Sequence, residues 1–219
     1  MAEADIYRKR MQHAKRARLY AERFETGSRR GINEREQRAV AKIFEALTDC
    51  RSVIDVPSGA GRFAKVLSQG RELIEVDVAF EILEFARECA ETSKLRVTFV
   101  QSDASKLPLR DAVVDGVFCN RLLHHIHSPK ERQVFLREFH RVTRKYLVIS
   151  FFDYHAFGRM RKLLKALKGR KPKYDEQPTF AQFTEEAERC GFSVREVVAT
   201  GAPWVAQKFF VLEKFGQRL

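Results

Sequence analysis

SVIDVPSGAGRF, residues 52–63, is the stretch that decides how this chain folds. Its first half is apolar and β-branched, the texture of a strand buried on both faces. Asp55 interrupts that texture at the strand's end, and Pro57, Ser58, Gly59, Ala60 and Gly61 follow at once. Glycines in such a turn let the backbone approach a ligand closely or adopt conformations that a Cβ forbids. A GxGxxG turn would cradle a pyrophosphate on a helix N-terminus. Here Pro57 stands in the place of the first glycine, and the acid before the loop repels phosphate. A carboxylate suits a cationic, amine-bearing ligand instead.

Outward from this stretch the chain alternates between strand and helix. GRFAKVLSQ reads as a helix, ELIEVDV as a strand, AFEILEFARECAE as a helix and LRVTFVQSD as a third strand. VVDGVFCN, PKERQVFLREFHRVT and YLVISFFD add a strand, a helix and a fifth strand. Such alternation predicts an α/β fold, a parallel sheet with helices on both faces. TFAQFTEEAERCGF is a helix with Thr179 as N-cap and Gly191 as its C-terminal stop. FSVREVVAT and WVAQKFFVLEKF then follow without an intervening helix and must pair antiparallel. Before the sheet, residues 3–24 have helical spacing, and TGSRRGIN is expected to break that helix. Asn33 and Glu36 resemble a capping box, ahead of a core stripe of Val40, Ile43, Phe44 and Leu47.

The 219 residues suffice for one domain with a full core. A net charge of +12 favours an anionic partner, though solubility alone also explains positive surfaces. Cys50, Cys89, Cys119 and Cys190 form no CxxC pair and complete no zinc spacing, so no metal is expected. Neither a signal core nor an apolar run long enough for a bilayer occurs, so the expectation is a soluble, cytoplasmic protein, peripheral to a membrane at most.

Asp55, Asp77 and Asp103 each close one of three successive strands, and together they match the length of a nucleoside. A carboxylate at Asp77 can accept from both ribose hydroxyls, and Asp103 with the N–H of Ala104 can bind an adenine edge. Each acid also has a plainer reading: Asp55 and Asp77 as helix caps, Asp103 as a turn residue before SKLPL. The segments VIDVPSGAGRFA, IEVDVAFEILEFAR, VTFVQSDASKLPLRDAVVDGVFCNRLLHHI and FLREFHRVTRKYLVISFF resemble the class I S-adenosylmethionine-dependent methyltransferases. The nearest branch acts on small molecules and includes the ubiquinone and menaquinone biosynthesis enzymes. The resemblance implies a Rossmann-like, doubly wound, seven-stranded sheet of order 3-2-1-4-5-7-6 with an antiparallel last strand. It implies that Asp55, Ser58, Gly59 and Gly61 hold the methionine end of S-adenosylmethionine, Asp77 the ribose, Asp103 and Ala104 the adenine, with Asn120 beside the cofactor. Pro57 departs from the family's usual glycine. Residues 1–49 are expected to form a helical lid, with Tyr20 and Arg23 as contacts, over a domain of residues 50–219 with a basic insertion at about 156–175.

Displacement of a methyl group from a sulfonium mainly requires alignment, and a base only where the acceptor must lose a proton. His124 and His125, in NRLLHHIHSP with His127, are the candidate bases; packing against the sheet is their alternative. Arg121, Asp153, Tyr154 and His155 are candidate substrate contacts, Arg121 equally a partner for a structural acid. The basic segment 159–173 suits an anionic membrane surface or a phosphorylated ligand, or else a solvated face. A small, acidic or amphipathic acceptor is expected. RNA as acceptor, and a cofactor-binding protein without catalysis, are the alternatives.

Overall fold

The computed structural model describes Leu19, Glu22, Phe24 and residues 27–153, 177–202 and 205–215. Its centre is a seven-stranded sheet of β1 (Ser52–Asp55), β2 (Glu72–Asp77), β3 (Val97–Gln101), β4 (Val114–Cys119), β5 (Thr143–Phe152), β6 (Phe192–Ala199) and β7 (Gln207–Lys214). The order is β3-β2-β1-β4-β5-β7-β6. The first five strands run parallel, and β7 lies antiparallel between β5 and β6. The sheet order and its antiparallel end agree with the expectation from sequence.

Among the described residues, five α-helices surround the sheet: α1 (Gly27–Ala46), α2 (Ala64–Leu67), α3 (Phe80–Thr92), α4 (Pro129–Val142) and α5 (Phe180–Arg189). Because strand side chains alternate between faces, two cores form. Val40, Ile43 and Phe44 of α1 and Leu47 just past it bury themselves with Leu67 of α2 against Val53, Leu73, Phe118 and Phe209. On the other face Leu136 and Phe139 of α4 and Phe183 and Ala187 of α5 cover Ile54, Val76, Val117, Ile149 and Phe210. α5 starts on a capping box: Thr179 Oγ accepts from Gln182 N, and Gln182 Oε1 accepts from Thr179 N at 2.9 Å. Gly191, just past its end, has φ +89°, and a Cβ there would strike the His140 ring at 2.6 Å, so glycine is required.

One local expectation fails. Residues 27–33 are themselves helical, forming the first turns of α1, and Asn33 sits inside α1 instead of capping it. Tertiary contacts outweigh glycine's poor helix propensity: Asn33 Oδ1 accepts from Arg62 Nη1 at 2.6 Å, and Glu36 binds Arg62 Nη2 at 2.9 Å. The helix expected over residues 3–24, Tyr20, Arg23, Tyr154, His155 and the basic segment 159–173 lie outside the described residues. Among those described, no helix is long and apolar enough to cross a membrane.

Candidate active site

Parallel strands all deliver their carboxyl ends to one edge of the sheet, and the chain loads that edge with polar groups. Asp55 ends β1, Asp77 ends β2, Asp103 and Ala104 follow β3, Asn120 follows β4 and Asp153 follows β5. These strands neighbour one another, so the crevice beyond them runs continuously from Asp103 to Asp153.

The glycine loop bends over this edge. Ser58 N donates to Val76 O at 2.9 Å, tying the loop to β2. Gly59 and Gly61 have φ of +57° and +70°, the left-handed region that favours glycine. Asp77 reaches beneath the loop: Oδ2 accepts from Gly59 N at 2.9 Å and Oδ1 from Ala79 N at 3.0 Å. It thus joins the loop to the start of α3. Burial pushes its carboxyl up to about 6 against the pull of those backbone donors. Asp103 is held in a turn, Oδ1 accepting from the Ser105 N–H and hydroxyl at 2.8 and 2.7 Å. Asp55 is buried, with Oδ2 lacking a partner, and burial together with the neighbouring Glu75 raises its carboxyl. Glu75 was missed in the sequence, where nothing in ELIEVDV singles it out.

At the next strand end, Asn120 Oδ1 accepts from Gln207 Nε2 of β7 at 3.2 Å. Arg121 has φ +61°, and its N–H donates to Ser150 Oγ at 2.7 Å. Its Nη2 bonds Glu36 at 2.5 Å and Gln207 at 3.3 Å, while its buried Nε has no partner. One buried carboxylate on α1 therefore grips both Arg62, just past the glycine loop, and Arg121, just past β4. Phe24 stacks on the Arg62 guanidinium at 4.0 Å. Sequence spacing gave no hint of this tie, since its members lie 26 and 85 residues apart.

His124 and His125 form a 3-10 turn, Leu123–His125. The His124 ring lies 4.7 Å from Phe152 and 3.9 Å from His125, and a cavity of about 10 Å³ opens between His124, Ser150, Phe152, Gln177 and Phe183. Burial, helped by the neighbouring His125 and Arg121, drops the His124 imidazole to about 3, and its Nδ1 is buried without a partner. Gln177 Nε2 donates to His124 O at 2.8 Å. Arg132 donates through Nη1 to the carbonyls of Ile126 and His127 at 2.9 and 2.7 Å. Asp153 accepts from Lys208 Nζ at 3.1 Å. No cluster able to hold a metal ion occurs among the described residues.

Residues 54–149 match the family described as a methyltransferase domain. This match spans less than half of the chain, and with the fold and the strand-end acids it makes the chain similar to the class I S-adenosylmethionine-dependent methyltransferases. The chain is 31% identical over 132 residues to the malonyl-[acyl-carrier protein] O-methyltransferase of Hamiltonella defensa, covering 60% of this chain and 46% of that protein. It is 36% identical over 93 residues to the demethylmenaquinone methyltransferase of Deinococcus radiodurans, covering 41% of this chain and 38% of that protein. The aligned stretches thus span less than half the length of these relatives. In structure, the magnesium protoporphyrin IX methyltransferase of Synechocystis PCC 6803, solved with SAH, superposes with TM-score 0.75 at 17% identity, covering 97% of this chain and 99% of that one. At that identity the likeness concerns the fold.

Proposed function

We propose that the protein transfers a methyl group from S-adenosylmethionine to a small, acidic or amphipathic acceptor. The observation that carries this reading is the row of Asp55, Asp77, Asp103 and Asn120 along adjoining strand ends, beside a loop whose glycines take left-handed conformations. The residues fit the cofactor. Asp55 Oδ2 and Ser58 Oγ are buried polar atoms without partners, as a loop awaiting an ammonium and its carboxylate requires.

Asp55, Ser58, Gly59 and Gly61 would hold the methionine end, Asp77 the ribose, Asp103 with Ala104 N–H the adenine, and Asn120 the cofactor's flank. When bound, S-adenosylmethionine supplies an electrophilic methyl group on a sulfonium and a neutral thioether as leaving group. The chain's own task is to orient the acceptor and exclude water. Arg121 keeps its buried Nε–H for an acidic acceptor, although Glu36 already occupies its Nη2. His124 suits a neutral hydrogen-bonding role better than proton abstraction, because a base works best when it titrates near the working pH. An acceptor that is already anionic needs no base; one that must lose a proton would turn to His125.

Accordingly, His124→Phe should slow turnover by about tenfold, through one lost polar contact, without altering the shape of the pH–rate profile above pH about 5. Loss of an acidic limb above that pH in the variant would restore His124 as the base. The class of acceptor is tested by incubating the protein with radiolabelled S-adenosylmethionine and fractionated cell extract. The expected result is S-adenosylhomocysteine and a labelled small acid or amphiphile. Label in RNA, with turnover falling steeply with salt, would replace this reading. So would cofactor binding without product from any fraction.

A further inference from the structure

Glu75 is fully buried, and neither of its carboxyl oxygens has a hydrogen-bond partner. Its register partner across the parallel β1–β2 pair is Asp55, whose Oδ2 is likewise buried and unpartnered. Alternation along the strands puts Asp55, Glu75 and Asp77 on the face that carries Val53 and Leu73. Three orphaned oxygens on two adjoining acids cannot both be charged and stable there, since a buried carboxylate without donors takes up a proton or finds a cation.

The surroundings supply no such donor. The glycine loop presses on Glu75, whose oxygens lie 3.1 and 3.2 Å from the position a Cβ would take on Gly61. Ala86 of α3 closes the site from beside it. On β2 itself, Asp77 adds a like charge and is already engaged with Gly59 and Ala79. From β4, the buried Cys119 thiol feels the Asp55 charge and is raised further. Among the described residues Arg62 is the cation acting on Asp55, and its guanidinium is bound to Asn33 and Glu36.

We propose that Asp55 and Glu75 are a proton-holding pair, which keeps a proton in the ligand-free protein and releases it to solvent when the ammonium of the methyl donor docks. The donor and its demethylated product share that ammonium, so both trigger the release. This rests on the assignment of Asp55 to the methionine end. Burial and the Asp77 charge raise Glu75 to about 8, so the empty protein carries the proton at neutral pH. A docking cation favours the ionised pair, and affinity for the donor should climb by up to about tenfold per pH unit while one proton leaves. The climb levels off once the pair is ionised without ligand.

Isothermal titration calorimetry of the full chain, in two buffers of different ionisation heat, reads the proton directly. Titrations of S-adenosylmethionine and S-adenosylhomocysteine between pH about 6 and about 9 should show release approaching one proton for each, and titration of adenosine, which lacks the ammonium, far less. Affinity for the two amino-bearing ligands should climb accordingly with pH. Glu75→Gln should abolish both the release and the pH dependence of the affinity; should that variant fail to fold, the proton count in the wild type decides alone. Donor binding by wild type without proton release, at constant affinity across this range, overturns the pair. If Asp55→Asn and Asp77→Ala bind the donor as wild type does, the crevice assignment itself falls, a distinguishable failure.

Discussion

Arg132→Ala should cost about 3–5 kcal/mol of folding stability, the loss expected when one partner of a buried ion pair is removed. Arg132 is 2% exposed, and its Nε and Nη2 meet the two Glu186 oxygens at 2.8 and 2.6 Å. Truncation strands a buried carboxylate on α5 and removes the donor from the Ile126 and His127 carbonyls at the same stroke. Urea denaturation should show a lowered midpoint with little change in slope. Arg132→Lys keeps the charge but not the planar fork, and should recover only part of the loss. Arg30→Ala, which breaks the exposed Arg30–Glu34 pair, should leave the midpoint where it is. A loss below about 1 kcal/mol in Arg132→Ala would mean that Glu186 finds another partner or protonates at little cost. Because Arg132 also anchors the turn carrying His124 to His127, turnover should fall in variants that still fold.

Asp77→Ala should weaken binding of S-adenosylmethionine by about 10–100-fold, the worth of hydrogen bonds to a charged acceptor. Its bonds to Gly59 N and Ala79 N add a second consequence. Each N–H deprived of its acceptor costs about 1–3 kcal/mol if it stays buried, so thermal stability should fall as well. Asp77→Asn retains one acceptor oxygen and should lie between wild type and Asp77→Ala in both respects. Calorimetry separates the two effects, because unfolding reduces the number of binding sites and weakened contact reduces affinity. Unchanged affinity in folded Asp77→Ala would remove the ribose assignment.

Much of the fold was legible in the chain. Alternation of strand and helix gave the parallel sheet, and two strand-like runs, FSVREVVAT and WVAQKFFVLEKF, joined by a short loop gave the antiparallel end. The strand-end acids were legible because a polar residue closing an apolar run stands out. Glu75 was not, since nothing in the run Glu72-Leu73-Ile74-Glu75 shows that the face it shares with Leu73 is covered at its end. Burial of that face follows only from the pairing with β1 and the loop above it, and a parallel sheet covered on both sides is the signal that could have found it. The Glu36–Arg62–Arg121 tie was equally hidden: charges on separate elements become partners only when the topology brings them together. Asn33 was misread for the same reason, its capping-box spacing being real while its side chain serves Arg62.

The Glu36 carboxylate is a shared rivet. Residue 62, just past the glycine loop, and residue 121, just past β4, are each fastened by one of its two oxygens, so neither can swing outward without tugging on α1. A substitution that shifts that helix should therefore be felt at two strand ends at once.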